Sequence, residues 1–571
     1  MKRFLLGFVI GILFVGLVGV LLVLAAMRFG GGGRTPTVAS NSALVLHLEG
    51  DVPEQAPFDV AVPYFQDEPP LTIADTWRLL QQAAADGRIK ALVLEPRGLS
   101  VGWAKLEELR SEILTFKKSG KPVYAYLRGA STHDYYVATA ADSIYMAPED
   151  ELDVKGLRAE LMYFKGTLDK LGVSMEFEHV GKYKDYPDQF TKTGPSPETL
   201  EVLNPILDQY YGNLIDVMAQ GRKKPAAVIR ALIDNGPFVG KEALDGGLVD
   251  GLLFEDEMYD KAGNPTKIAD RAYAKAEAGS DQGKRIALVT EEGDITGGDN
   301  ADSFAEGGIA SLSAIRTMRE VENDSSVQGV ILRINSPGGD GIASDDILHE
   351  VKRLSQRKPM VISMSDDAAS GGYFIAMSGD PVLAYSNTLT GSIGVFFGKV
   401  NLKGLYDKVG MTKQLLTRGR FAAIDSENGP LSDAERAKLR TEIEAFYRGF
   451  VQRVADGRKR KYDEIEPLAQ GRVWLGSQAK GNGLIDEIGG LDRAVELVKQ
   501  RAKIGVSDKV TLVNYPPRRT LFDLLWNRES DSEVESRMVE KQIRALVGNI
   551  PIRALAYGGV LRLMPFTIAV K

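Results

Sequence analysis

No cysteine occurs in the 571 residues, which excludes a thiol nucleophile, thiolate metal sites and disulfides. Histidine is scarce. The four present, His47, His133, His179 and His349, show no arrangement that suggests a Ser-His-Asp triad, although triads form in space rather than in sequence. A basic excess is also missing: 70 Lys+Arg against 77 Asp+Glu give a formal net charge of -7, so no positive field is available to draw a nucleic acid. What remains is an ordinary globular composition, 44% hydrophobic and 26% charged, in a chain long enough for more than one domain.

One stretch departs from that composition. Phe4 to Met27 carries no charge over about 24 residues, enough at ~1.5 Å per residue to cross a ~30 Å hydrocarbon core. It exceeds the roughly 7 to 15 residues of a signal-peptide core, and no clean small-x-small site follows Leu24-Ala25-Ala26-Met27, so an uncleaved anchor over residues 1–28 is expected. Lys2 and Arg3 precede it and Arg28 and Arg34 follow, a weak bias by count. So short a head is nevertheless expected to stay cytoplasmic, with the bulk of the chain on the other side. Residues 29–42, with Gly30 to Gly33, read as a flexible tether.

Compared with itself, the chain repeats at about 236 residues, a period that means tandem domains rather than a solenoid. Gly240, Ala243, Gly247, Leu248 and Asp250 align with Gly476, Ala479, Gly483, Leu484 and Asp486. Tyr211 and Gly221-Arg222-Lys223 align with Tyr447 and Gly457-Arg458-Lys459. The starts match as well, ALVLHLEGDV (Ala43 to Val52) with IALVTEEGDI (Ile286 to Ile295). Each copy alternates short apolar runs such as VILRI (Val330 to Ile334) with helix-length periodic stretches such as AKLEELRSEILTFKK (Ala104 to Lys118), which predicts an α/β fold with parallel crossovers. The expected domains are 43–266 and 285–515, joined by a charged linker over 267–284. A tail over 516–571 is expected to pack on the body, on a neighbouring subunit or at the bilayer surface.

Chemistry is signalled where the copies differ. Three glycine-rich turns follow strand-like runs in the second copy: Ser336-Pro337-Gly338-Gly339, Ala369-Ser370-Gly371-Gly372-Tyr373 and Leu389-Thr390-Gly391-Ser392-Ile393-Gly394. A serine flanked by glycine NH groups suits acyl transfer, because side chains there would obstruct backbone approach and positive φ. Serine is also a common helix cap, and Ser392 reads equally as a turn residue. Aligned through Tyr136 and Tyr373, Ser370 falls opposite His133, so the first copy lacks the serine turn. Conversely, Gly181-Lys182-Tyr183-Lys184 aligns with Gly419-Arg420-Phe421-Ala422, so Lys184 faces an alanine. A divided site is the economical reading, with a lysine as base if burial disfavours its ammonium form. Asp366-Asp367 are expected at a helix N-terminus or in solvent, and neither metal nor cofactor is expected.

These motifs, in this order and spacing, resemble the signal peptide peptidase A (protease IV) family in its long two-repeat bacterial form, over roughly residues 1 to 510. The resemblance implies a tandem Clp-protease/crotonase-like fold with an N-terminal membrane helix. It also implies a Ser/Lys-dyad serine protease acting on cleaved signal peptides and other extended hydrophobic peptides. Its nucleophile maps onto Ser370 and its base onto Lys184 rather than Lys182. Ser392 maps onto a lysine-positioning hydroxyl, and Gly339, Gly371 and Gly338 onto the oxyanion and substrate-binding turn. A homo-tetramer anchored in the inner membrane through lipid contact of its helix, with the body outside the cytoplasm, is further implied. Asp185-Tyr186-Pro187 and the tail depart from the family pattern. The rival readings are an acyl-CoA-type enzyme and a degenerate membrane scaffold of the same fold.

Overall fold

Apolar runs flanked by capped helices build the same sheet twice. The computed structural model describes residues 36–55, 70–277, 283–299, 308–517, 559–564 and 569–570. In the first repeat the sheet order is Gly251–Leu252, Ser143–Met146, Val123–Leu127, Ile89–Arg97, Ser42–Glu49 and Thr266–Ala269, all parallel. In the second repeat Glu487–Ile488, Val382–Ala384, Met360–Ala369, Val327–Ser336, Lys284–Glu292 and Val510–Tyr515 follow the same order, again parallel. Parallel strands buried on both faces need continuous apolar runs, and Val330, Ile331, Leu332 and Ile334 are accordingly buried.

The helices repeat as closely. Ile73–Ala85 matches Ser311–Asn323, Trp103–Lys117 matches Gly341–Ser355, and Pro197–Arg222 matches Asp433–Arg458. Ser196 and Ser432 cap the N-termini of the last pair, and Lys223 and Lys459 close them in the left-handed conformation. Arg222 pairs with Asp250, and Arg458 with Asp486, each at 2.7 Å.

Two sequence expectations are corrected. Part of the expected linker is an edge of the first sheet: Thr266–Ala269 hydrogen-bonds along Ser42–Val45, and the helix Asp270–Ala276 follows it. The first-repeat position opposite Ser370 is Thr132, not His133. Tyr135 donates to Leu248 O as Tyr373 donates to Leu484 O, and Thr139 packs against Gly221 as Met377 packs against Gly457. These contacts shift the alignment by one residue. Among the described residues no helix is long and apolar enough to cross a membrane, and Phe4 to Met27 lies outside them.

A buried ionic cluster joins the repeats. Arg333 on the second sheet has no exposed surface and bonds Glu54 at 2.9 and 3.0 Å and Glu108 at 2.5 and 3.3 Å, both from the first repeat. Ser363 Oγ and Ser365 Oγ also lie against it, 2.9 Å from Nη1 and 3.1 Å from Nη2. Desolvation opposes its charge, but the two carboxylates outweigh it and hold the guanidinium above its ordinary range.

Near the end of Lys284–Glu292, burial alone pushes the Glu291 carboxyl up to about 8. Above about pH 4.5 the unfolded chain ionises this group while the folded chain keeps its proton, so rising pH favours unfolding until the folded carboxyl ionises near 8. Glu291→Gln is therefore expected to flatten a fall in Tm between pH 5 and 8. Equal Tm profiles for the two proteins would refute this.

Candidate active site

Ser370 sits where the strand Met360–Ala369 turns into the short helix Gly371–Ile375. Its backbone is at φ 53 and ψ -111, a conformation rare for a residue with a Cβ. Ser370 N donates to Gly391 O at 2.8 Å, and Phe374 N donates to Ser370 O at 2.8 Å, so the turn is held on both sides. The hydroxyl caps no helix. It is fully buried and lies 2.9 Å from Lys184 Nζ.

Lys184 arrives from the first repeat. The strand Ser174–Val180 adds antiparallel to Val395–Asn401 of the second repeat, with Val180 opposite Val395. Arg436 and Arg440 of the helix Asp433–Arg458 clamp this strand by ion pairs to Glu178 at 3.0 and 2.9 Å. The chain then turns at Gly181, and Tyr183 N donates to Gln470 O at 2.8 Å. Lys184 is fully buried and also lies 2.9 Å from Ser392 Oγ and 3.1 Å from Ser392 O. Ser392 is itself at φ 51, pinned by its NH on Arg472 O at 2.7 Å.

Lys182 lies elsewhere. It is half exposed and bonds Glu201 at 3.1 Å and the Tyr183 hydroxyl at 3.3 Å. Tyr186 is buried and stacks on Phe396 with centroids 5.4 Å apart, whereas Tyr183 faces outward to Glu201 and Arg472. Among the described residues, no histidine ring lies within hydrogen-bond distance of Ser370. His133 contacts Leu99 O and Trp103, and Thr132, the true counterpart of Ser370, is within a helix and bonds Asp153 O at 3.3 Å.

Gly338 and Gly339 form a loop beside the serine turn. A side chain on Gly371 would meet Gly338 Cα and Gly339 N at 3.1 Å, so the three glycines are in close contact. At Gly339, with φ +154, a Cβ would lie 2.1 Å from Ile295 O. Asp366 does take a helix N-terminus, that of Trp103–Lys117 in the other repeat, accepting from Gly102 N at 3.0 Å and Lys105 N at 2.8 Å. Burial and the adjacent Asp366 push Asp367 up to about 7, and burial pushes Asp185, which accepts from Thr199, up to about 6.

Sequence reasoning missed Gly471. It adopts φ +76, and a Cβ there would lie 2.6 Å from Lys184 Cβ and 2.7 Å from Lys184 N. Its NH donates to Ile393 O at 2.8 Å, tying the lysine turn to the Ser392 turn. Gln470-Gly471-Arg472 carries only a turn signal, with nothing in the local sequence that points to the lysine. Gly471→Ala is expected to shift Lys184 and lower kcat/KM roughly 100-fold with an unchanged circular dichroism spectrum. Activity within twofold of wild type would remove Gly471 from the site.

A serine on a strained strand-to-helix turn, with an amine on its hydroxyl and glycine NH groups beside it, places the protein among the serine hydrolases. The chain belongs to peptidase family S49, whose profile matches residues 115–269 and 352–505, one stretch in each repeat. It is 34% identical over 462 residues to the chloroplastic serine protease SPPA of Arabidopsis thaliana, covering 78% of this chain and 68% of that protein. It is 32% identical over 547 residues to Protease 4 of Haemophilus influenzae, covering 88% and 86%. Against Protease 4 of Salmonella typhi the identity is 31% over 453 residues, covering 76% and 72%. The protein is a serine protease of two S49 repeats on an α/β fold.

Proposed function

We propose that this protein is a membrane-anchored endopeptidase in which Lys184 of the first repeat activates Ser370 of the second, and that it degrades extended apolar peptides, cleaved signal peptides among them. The observation that carries this reading is the 2.9 Å contact between Lys184 Nζ and Ser370 Oγ, both residues fully buried. Burial penalises an ammonium, and Nζ lies within hydrogen-bond distance of the Ser370 and Ser392 oxygens. In the neutral amine, two N–H bonds go to Ser392 Oγ and O while the lone pair accepts the Ser370 proton. The serine oxygen then attacks the peptide carbonyl, and Gly339 and Gly371 NH groups receive the oxyanion, each such donor contributing ~3 kcal/mol. The ammonium next protonates the leaving amine, and water activated by the same lysine hydrolyses the acyl-enzyme.

The remaining parts of the reading rest on the sequence: a Clp-protease/crotonase-like origin of each repeat, and anchoring through Phe4 to Met27 in a bacterial inner membrane with the body outside the cytoplasm. A homo-tetramer that admits flexible peptides and excludes folded proteins also belongs to it. The test is hydrolysis of a fluorogenic aliphatic peptide by the full chain in detergent, comparing wild type with Ser370→Ala. Equal cleavage by the two proteins would sink the proposal and favour a scaffold.

A further inference from the structure

The glycine loop belongs to a sheet whose order is Ile309–Ala310, Ile295–Thr296, Gly338–Asp340, Gly559–Leu563, Val395–Asn401 and Ser174–Val180. Its fourth strand comes from the C-terminal tail. It lies antiparallel to both neighbours, with Gly338 opposite Leu563, Gly339 opposite Arg562 and Asp340 opposite Leu561 on one side. On the other side Phe396 is opposite Leu561, Phe397 opposite Val560 and Gly398 opposite Gly559. Met564 N, one residue further, donates to Pro337 O at 2.8 Å.

Without this segment Gly338–Asp340 and Val395–Asn401 would be two unpaired edges separated by twice the ~4.8 Å strand spacing, a slot one strand wide. Facing unpaired edges hydrogen-bond an extended polypeptide and little else. One wall of the slot is the loop that touches Gly371, and the other follows directly from Ser392-Ile393-Gly394, so whatever fills it runs past Ser370. The slot also reads side chains. Leu561 is 2% exposed, in a cluster with Tyr186, Phe190 and Phe396. Tyr186 is two residues from Lys184, so this apolar pocket is built on the same turn as the lysine.

We propose that the tail strand Gly559–Leu563 is a built-in competitor of substrate, which occupies the peptide slot of the Ser370 site and must leave before a peptide can bind. This rests on the reading of that site as a peptidase. It also defines the peptide that displaces the tail: an extended, antiparallel segment with a large aliphatic side chain where Leu561 now sits. Since apparent affinity falls by the fraction of molecules whose slot is open, a tail bound nine-tenths of the time raises KM about tenfold and leaves kcat alone.

The test uses the full chain in detergent, a truncation lacking residues 557–571, and full-length Leu561→Asp, which keeps the tail but places a charge in the apolar pocket. Both variants are expected to show KM lowered about tenfold at unchanged kcat. A synthetic peptide of residues 557–566 is expected to inhibit the truncated enzyme competitively. Should truncation unfold the protein, judged by circular dichroism, Leu561→Asp decides. In parallel, the fluorescent form of that peptide is expected to bind truncated Ser370→Ala, by polarisation, at least tenfold more tightly than full-length Ser370→Ala. Unchanged KM in the folded variants, or peptide binding equal in the two Ser370→Ala proteins, would overturn the proposal. The polarisation result needs no turnover, so a protein that cleaves nothing would defeat the peptidase reading and still decide whether the tail holds the slot.

Discussion

Lys184→Ala is expected to lower kcat/KM for an aliphatic peptide by roughly 10^2- to 10^4-fold, the range that a positioned general base contributes. Lys182→Ala is expected to stay within about twofold. The contrast follows from geometry: the Lys184 amine is enclosed by Ser370 and Ser392, whereas Lys182 spends its donors on Glu201 and Tyr183 at the surface. Lys184→Arg is not expected to rescue, because a guanidinium stays protonated and cannot accept the serine proton. Ser370→Ala removes the proposed nucleophile, and losses of about 10^6 in kcat are typical for such a change. The check is kcat/KM for each variant, with thermal melts showing that folding is intact. If Lys182→Ala were the inactive variant and Lys184→Ala the active one, the base would have to be reassigned.

The second large effect is on stability. Arg333→Met leaves Glu54 and Glu108 buried without their cation, and breaking such a pair costs about 3–5 kcal/mol. Lys105, 3.6 Å from Glu292 and held well above its usual range by the carboxylates around it, compensates only in part. Because the cluster ties Glu54 and Glu108 of one repeat to Arg333 of the other, the loss also loosens the interface across which Lys184 meets Ser370. Thermal unfolding should show a lowered Tm, together with reduced peptide cleavage below it. The triple variant Arg333→Met, Glu54→Gln, Glu108→Gln should recover part of the Tm, since removing these three charges removes their desolvation penalty, although Lys105 then loses Glu54. A single variant as stable as wild type would show that the cluster contributes nothing.

Much of this was legible in sequence, for reasons that differ by feature. The two repeats and their parallel sheets were legible because buried parallel strands need apolar runs and helices need spaced apolar faces. The serine and glycine turns were legible because positive φ and close backbone approach restrict the residues that fit. The alignment slip at His133 arose because Tyr135 and Tyr136 are adjacent and both buried, so only tertiary contacts, the hydrogen bond to Leu248 O and the packing of Thr139 on Gly221, tell which one corresponds to Tyr373. The linker was misread at Thr266–Ala269 because a four-residue edge strand ending in a charged helix looks polar in sequence. Gly471 was invisible because its requirement comes from Lys184, a residue far away in the chain.

From its sequence alone this protein was determined to be a duplicated α/β chain with a serine set between glycine turns in one copy and an unmatched lysine in the other. Those are local properties, set by the conformations each short segment can adopt. Only the tertiary structure decided that Lys184 and Ser370, 186 residues apart, come within 2.9 Å, that Ser392 and Gly471 hold the lysine there, and that the tail strand pairs along the glycine loop. Distances between remote residues depend on how sheets and helices pack, and no short segment carries that information.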